Sequence, residues 1–348
     1  GKKDQKMQVN FNGYYGLQSL GRRFDMIDNS VEYMEMYNSA LANEGSSPLF
    51  PDYLIEAFRT GNDQYKYPNA NYFDELFQVN PIQEYNLSFK GGSNNTSSFL
   101  SFNYLSQEGM IPNTNSNRYG IRANIESNVN DWLTVSGRIN YTRRISEEPY
   151  EDITYGSLGR VFAMLQGVTP FTAPYTRDGR FGSVEAIDNT GSFLYDNRNP
   201  LIDAANGLTT REQNYLVLNA SVGVQLHKNL LWKTTISSTS NWNLTDSYNE
   251  SVFGYTDSGI ETTTKNFNRE GLEINRGQVS TIENNTFSTL NYNQKIGGIH
   301  DISAIAGIQM QDQVIKNVYS RRTNAPKEGL TQVDAGTSGI QGEGNMVG

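Results

Sequence analysis

Long runs of strict two-residue alternation, joined by connections that are alternately long and very short, constrain this chain more than any other feature. In "NRYGIRANIESNVNDWLTVSGRINYTRR", Tyr119, Ile121, Ala123 and Ile125 alternate with Arg122, Asn124 and Glu126. After the "NVND" turn, Leu133, Val135, Gly137, Ile139 and Tyr141 alternate with Ser136, Arg138 and Asn140. A period of two puts apolar side chains on one face of a strand and polar ones on the other. The same pattern predicts about nine strands: Met7 to Tyr15, Glu84 to Lys90, Ser98 to Ser106, the two of this hairpin, Tyr215 to His227, Leu230 to Ser240, Thr286 to Asn293 and Ile302 to Gln311. Several reach the nine to eleven residues of a tilted membrane strand, beyond the usual soluble length of about five or six.

The connections separate a membrane sheet from a soluble one. "GGSNNT", "NVND", "HKN" and "QKIGGIH" are tight, whereas the intervening segments are longer, the largest covering 16–81, 144–213 and 243–284. A soluble sandwich has no reason to collect its long connections at one end, but an outer-membrane barrel has short periplasmic turns and long outer loops. Trp132 and Trp232 fall beside short turns, and Tyr15, Tyr104, Tyr119, Tyr141 and Tyr215 beside long loops, as two interfacial belts require. The loops themselves carry helix signals. Asn29 stands as N-cap with Glu32 at the third position and Gly45 after the end, and "SLGRVFAMLQG" places Leu158, Val161, Phe162 and Leu165 on one side.

Composition agrees. Hydrophobic residues are 36% of the 348, mean hydropathy is −0.60, and no apolar run reaches the eighteen residues of a spanning helix, while a barrel needs only alternate apolar residues. A net charge of −9 excludes a nucleic-acid partner of the usual basic kind. The lack of cysteine removes disulfides, thiol nucleophiles and thiolate zinc sites. The first residues, "GKKDQKMQVN", show no signal peptide, so the chain is read either as one that stays in the cytosol or as one whose beginning has been removed.

Catalysis finds no support. His227 and His300 sit in separate short turns, "YTRDGR" reads as a plain turn at Asp178-Gly179, and "EEPYED" (Glu147 to Asp152) reads as solvated loop charge. No catalytic residue, metal ligand or cofactor is expected, and the substrate-binding residues are unknown. Arg122, Asn124, Arg138 and Asn140 on the polar face are candidates either for lining a cargo route or for supporting a plug.

The order of motifs resembles the SusC/RagA-type TonB-linked outer-membrane transporters of the Bacteroidetes. "GKKDQKMQVNFNGYYG", "SVEYMEMYNSA", "NYFDELF" (Asn71 to Phe77, with Phe73 where that family usually has Trp), "YNLSFKGGSNNTSSFLSFNYLSQEGMI" and the opening hairpin look like its successive segments. "TPFTAPYTRDGRF", "NRNPL" (Asn197 to Leu201) and "HDISAIAGIQ" continue the likeness. The resemblance implies an all-β, antiparallel transmembrane barrel of about 22 strands around a plug. About nine strands of that barrel are present over 1–348, so the chain is expected to be the N-terminal part of the barrel domain in a longer polypeptide, and its glycine-rich tail from Asp334 a loop cut partway. It further implies TonB-dependent import of oligosaccharides or peptides across the bacterial outer membrane, with TonB, a SusD-like lid lipoprotein and membrane lipid as partners. The readings that compete with it are a passive porin or barrel adhesin, and a secreted soluble glycan-binding β-protein whose apolar faces pack on one another.

Overall fold

The structure is a computed structural model that describes residues 4–23, 25–150, 156–184, 199–250, 252–259, 261–262, 272–325 and 338–347. Its frame is an antiparallel sheet of ten strands in sequence order: β1 (Gln5–Gln18), β2 (Asn80–Gly92), β3 (Thr96–Glu108), β4 (Asn115–Asn130), β5 (Leu133–Pro149), β6 (Leu208–His227), β7 (Leu230–Tyr248), β10 (Leu272–Ile296), β11 (His300–Ala325) and β12 (Ser338–Val347). Two two-residue strands, β8 (Gly254–Tyr255) and β9 (Glu261–Thr262), pair in the connection after β7. All nine expected strands form. The tenth, β12, corrects the expectation of a loop at the tail: it pairs with Val314 to Thr323 of β11. "SGIQGEGNMV" shows no alternation, so its place in the sheet comes from the backbone ladder rather than from a side-chain pattern.

The ladder register puts the alternating faces in line across the sheet. Val9, Phe89, Leu100, Ala123, Ile139 and Leu218 are consecutive cross-strand partners from β1 to β6, and the same row turns polar at Ser238, Asn284 and Asp312. One step nearer the short turns, Ile125, Gly137, Ala220, Ile236, Thr286 and Met310 carry the apolar stripe onward to β11. A stripe that slides along the strands as it crosses them is what tilted strands need if their apolar band is to stay level, and barrel strands tilt by about 35–45°.

This apolar face has no protein over it among the described residues. Ile121 is 41% and Leu218 40% exposed, and Val135 between them in the sheet is half-buried. The described structure thus lacks the second β-layer that a soluble sandwich would put on those side chains. The buried side chains lie elsewhere, in the long connections.

Among the described residues those connections hold five helices: α1 (Ser30–Asn43), α2 (Asp52–Thr60), α3 (Tyr72–Leu76), α4 (Ser157–Gly167) and α5 (Pro200–Ala205). As its sequence predicts, α1 is capped by the Asn29 side chain, which accepts from the Glu32 amide at 3.0 Å, and ends at Gly45 with φ +75°; such a cap contributes about 1 kcal/mol. Two cores result. Met34, Phe50, Leu54, Ile55 and Phe58 from α1, α2 and the turn between them close on Phe171 and Val184. Tyr72, Phe73 and Leu76 of α3 close on Val161 and Leu165 of α4 and Leu201 of α5. Burying each such side chain contributes about 1.5–3 kcal/mol. The connections after β1 and β5 therefore fold as one packed unit.

The strands run further toward this unit than alternation predicts, so the three long connections shrink to 19–79, 150–207 and 249–271. In β5 the added residues Thr142, Arg143, Arg144, Ser146, Glu147 and Glu148 are polar at both parities, which breaks the two-residue signal there while the ladder continues. Cross-strand pairs hold this upper wall: Arg211 Nη1 to Glu148 Oε2 at 3.0 Å and Arg143 Nη2 to Glu212 Oε2 at 2.9 Å. Two glycines are dictated by space. Gly207 adopts φ +89°, and a Cβ there would stand 2.1 Å from the Tyr248 carbonyl oxygen. At Gly13 a Cβ would come within 2.8 Å of the Tyr85 ring, which lies over that position.

Candidate functional site

The candidate site is the polar face of the sheet and the roof that the loop unit makes over its upper end. Arg122 pairs across the ladder with Asn140, and Asn124 with Arg138, so the four residues singled out in the sequence stand together on one face. Arg122, Asn124 and Arg138 line a cleft of about 400 Å³ with Ser97, Glu126 and Ser136; Asn140 stands outside that lining. Around it the polar side chains bind one another. Asn103 Nδ2 donates to Glu84 Oε1 at 2.8 Å and to Asn86 Oδ1 at 2.6 Å, and the Ser136 and Ser221 hydroxyls share a bond of 2.6 Å. Such a face offers donors and acceptors in fixed positions, suited to a hydrated polar surface or molecule.

At the upper boundary of the opposite face an aromatic column crosses four strands. Phe11, Tyr85, Tyr104 and Tyr119 follow one another with ring-centroid separations of 6.4, 6.5 and 5.1 Å. Tyr141 continues the series by stacking on Trp242 at 6.1 Å, its hydroxyl donating to Asn214 Oδ1 at 2.7 Å. Tyr215 does not belong to it: its partners are Thr142 and Asn241, which puts it on the polar face. Strand-end position gave the right level for Tyr215, but its parity against Leu216 and Leu218 decides the face.

The loop unit is fastened by ion pairs from three connections. Arg177, between β5 and β6, reaches Asp63 Oδ2 at 2.6 Å in the first long connection and Asp257 Oδ2 at 3.1 Å in the third. Its guanidinium also lies 4.9 Å from the centre of the Tyr65 ring. The Arg177 hydrogen bond is the main reason the Asp63 carboxyl is held below its ordinary range. Burial pushes the Tyr72 hydroxyl well above its ordinary value, and it donates to the Thr172 carbonyl at 3.2 Å. Deeper in, Arg160 of α4 and Asp203 of α5 form a buried ion pair at 2.7 Å.

Two stretches marked by the family resemblance meet here. Asn199 caps α5 and donates to the carbonyls of Pro174 at 3.1 Å and Gly182 at 2.9 Å, so its amide pins the "TPFTAPYTRDGRF" turn. That turn forms at Asp178-Gly179 as predicted, with Gly179 at φ +84° and Asp178 bound by Arg180 and Thr176. In "EEPYED", Glu147 accepts from its ladder partner Asn115 and Glu148 pairs diagonally with Arg211 of β6, so neither is loose charge. Glu151 and Asp152, like Asn197 and Arg198 of "NRNPL", lie outside the described residues. His227 and His300 are exposed, each at the foot of its own hairpin. Phe162, expected on the apolar side of its helix, is 40% exposed and turned toward the polar face, whereas Val161 and Leu165 are fully buried.

An open, tilted antiparallel sheet with an uncovered apolar band, an aromatic column at its border and a polar opposite face defines part of an outer-membrane β-barrel. The comparisons with known proteins agree. No protein-family model matches the chain. TonB-dependent receptor P26 of the Bacteroidetes bacterium Formosa agariphila is 25% identical over 312 residues, which are 89% of this chain and 28% of that protein. TonB-dependent receptor P3 of the same organism is 26% identical over 171 residues, 48% of this chain and 16% of that one. Among solved structures, the RagAB peptide importer in its closed-closed state superposes with a TM-score of 0.71 at 18% identity, over 100% of this chain and 39% of that one. The RagAB peptide transporter gives 0.69 at 19% over 100% and 40%. The chain thus spans about two-fifths or less of the length of the proteins it matches. Its sheet has the fold of an outer-membrane β-barrel, and the curated relatives to which it is similar are TonB-dependent receptors, in line with what the order of its motifs implies.

Proposed function

We propose that the protein to which this sheet belongs imports oligosaccharides or peptides across the bacterial outer membrane in a TonB-dependent, energy-consuming step. The observation that carries the reading is the division of the sheet into an uncovered apolar face and a polar face roofed by folded loops. The apolar band would meet lipid, and the polar face would border a lumen through which a hydrated molecule passes. The long connections would lie on the extracellular side, with the tight turns in the periplasm. In this reading 1–348 is the N-terminal part of the barrel domain, a plug fills the lumen, and TonB acts on the plug. A SusD-like lipoprotein would close over the loop unit, the kind of assembly that the RagAB relative suggests. Arg122, Asn124 and Arg138 would contact either passing cargo or the plug.

The experiment is uptake in the producing bacterium. Labelled oligosaccharides and peptides should enter wild-type cells and not a deletion strain, and a protonophore should stop entry within minutes. The purified full-length protein in a planar bilayer should be silent. Steady conductance there, with uptake indifferent to the protonophore, would establish a passive porin instead.

A further inference from the structure

In the middle of the β4–β5 ladder, on the polar face, two guanidiniums stand side by side without a partner. The register sets Arg122 opposite Asn140 and Asn124 opposite Arg138, so Arg122 and Arg138 are diagonal neighbours, a relation that brings long side chains within reach of each other. Both are exposed, and neither makes an ion pair or hydrogen bond among the described residues. Arginines nearer the roof are spent: Arg118 on Glu84 at 3.8 Å, Arg211 on Glu148 at 3.0 Å, and Arg144 through Nε on the Ser116 hydroxyl at 3.0 Å. A sheet gains nothing from like charges in adjoining positions, which oppose each other. The pair is also a local reversal in a chain whose net charge is −9.

The cleft of about 400 Å³ that the two line carries one carboxylate, Glu126, which leaves its lining with one net positive charge. Among the described residues that line it Ile125 alone is apolar, and its parity turns it to the other face; Ser97, Asn124 and Ser136 supply hydroxyls and an amide. Three demands on a ligand follow. It carries a single negative charge, since a phosphate ester with nearly two would overshoot the balance. It offers more than the two oxygens of a carboxylate, which one guanidinium fork already fills, because here two forks approach from different strands with the Asn124 amide beside them. It is otherwise rich in hydroxyls, as the cleft presents no apolar surface to receive a peptide's side chains. We infer that Arg122 and Arg138 form a subsite for a sulfate ester on an oligosaccharide. The inference rests on the import reading, makes these arginines contacts of cargo, and narrows that cargo to sulfated sugars.

The test is calorimetric titration of the full-length protein with a κ-carrageenan tetrasaccharide, its desulfated form and tri-galacturonate. The sulfated sugar should bind about tenfold more tightly than either, the return on charge-assisted, part-exposed contacts. That margin should shrink as salt rises from about 0.05 to about 0.5 M. Arg122→Gln and Arg138→Gln should each cut it about threefold, and the double variant should abolish it. Glu126→Gln should widen it, which a merely structural role for these side chains would not do. Equal affinity for the sulfated and desulfated sugars in the wild type would overturn the inference, and that comparison needs no variant to fold. So would tri-galacturonate binding as tightly as the sulfated sugar, or an unchanged margin in the double variant. Equal affinities with protonophore-sensitive uptake intact would remove the subsite and leave import standing. Sulfate preference with uptake indifferent to the protonophore would do the reverse.

Discussion

Replacing Ile236 by Arg should destabilise the protein in lipid vesicles by about 2–4 kcal/mol, whereas the same change at the next residue, Ser237, should cost less than about 1 kcal/mol. The two positions sit at one level of one strand and differ only in face. Ile236 is 56% exposed on the apolar side, between Ala220 and Thr286 of the neighbouring strands, so an arginine there would place its charge against hydrocarbon. Ser237 lies between Asn219 and Asn285 on the polar side, where a charge keeps water or polar partners. Urea unfolding midpoints of the full-length protein reconstituted in vesicles measure the difference. Similar losses at both positions would mean that the two faces meet similar surroundings.

Asp203→Ala should cost the loop unit about 3–5 kcal/mol, because it strips the carboxylate from a guanidinium already out of water. Both side chains of the Arg160–Asp203 pair are almost wholly inaccessible, at 9% and 5%, beside the core of Val161, Leu165, Leu201 and Ala204. Replacing both partners with apolar residues of similar volume, Arg160→Met with Asp203→Leu, should recover most of the loss, since no charge is then left buried. Amide exchange in α4 and α5 reads the effect directly. It should speed up by about two to three orders of magnitude in the single variant and return close to the wild-type rate in the double one. The sheet, whose ladder does not run through this pair, should keep its protection in both.

These expectations could be framed because much of the frame is legible in the sequence. Alternation locates the strands, and the structure places Ile121 and Val135 on the face that their parity predicts. It failed where its physical basis failed. From Thr142 to Pro149 polar residues stand at both parities, so the stretch looks like loop although it continues β5. In β12 glycine replaces the side chains that would alternate. Helix signals found α1 through Asn29 and α4 through its apolar spacing, but α3 and α5, of five and six residues, are too short to show a period. The polar-face group was half legible. Arg122, Asn124 and Arg138 stood out through parity, and Arg144 follows the same parity but lies past the point where the apolar partners stop. Nothing local to Phe77 or Arg177 announces what it meets, because their partners lie far off in sequence, at Phe162, Asp63 and Asp257.

The claim on which the rest depends is that the apolar face lies against hydrocarbon and the polar face does not. The chain has no cysteine, so single cysteines introduced at Ile139, Asn140, Leu218 and Asn219 can each carry one spin label in the full-length protein in vesicles. The account predicts that labels at 139 and 218 relax with dissolved oxygen and ignore a water-soluble nickel chelate, and that those at 140 and 219 show lower oxygen accessibility. Chelate access or immobilised, oxygen-poor spectra at 139 and 218 would contradict it.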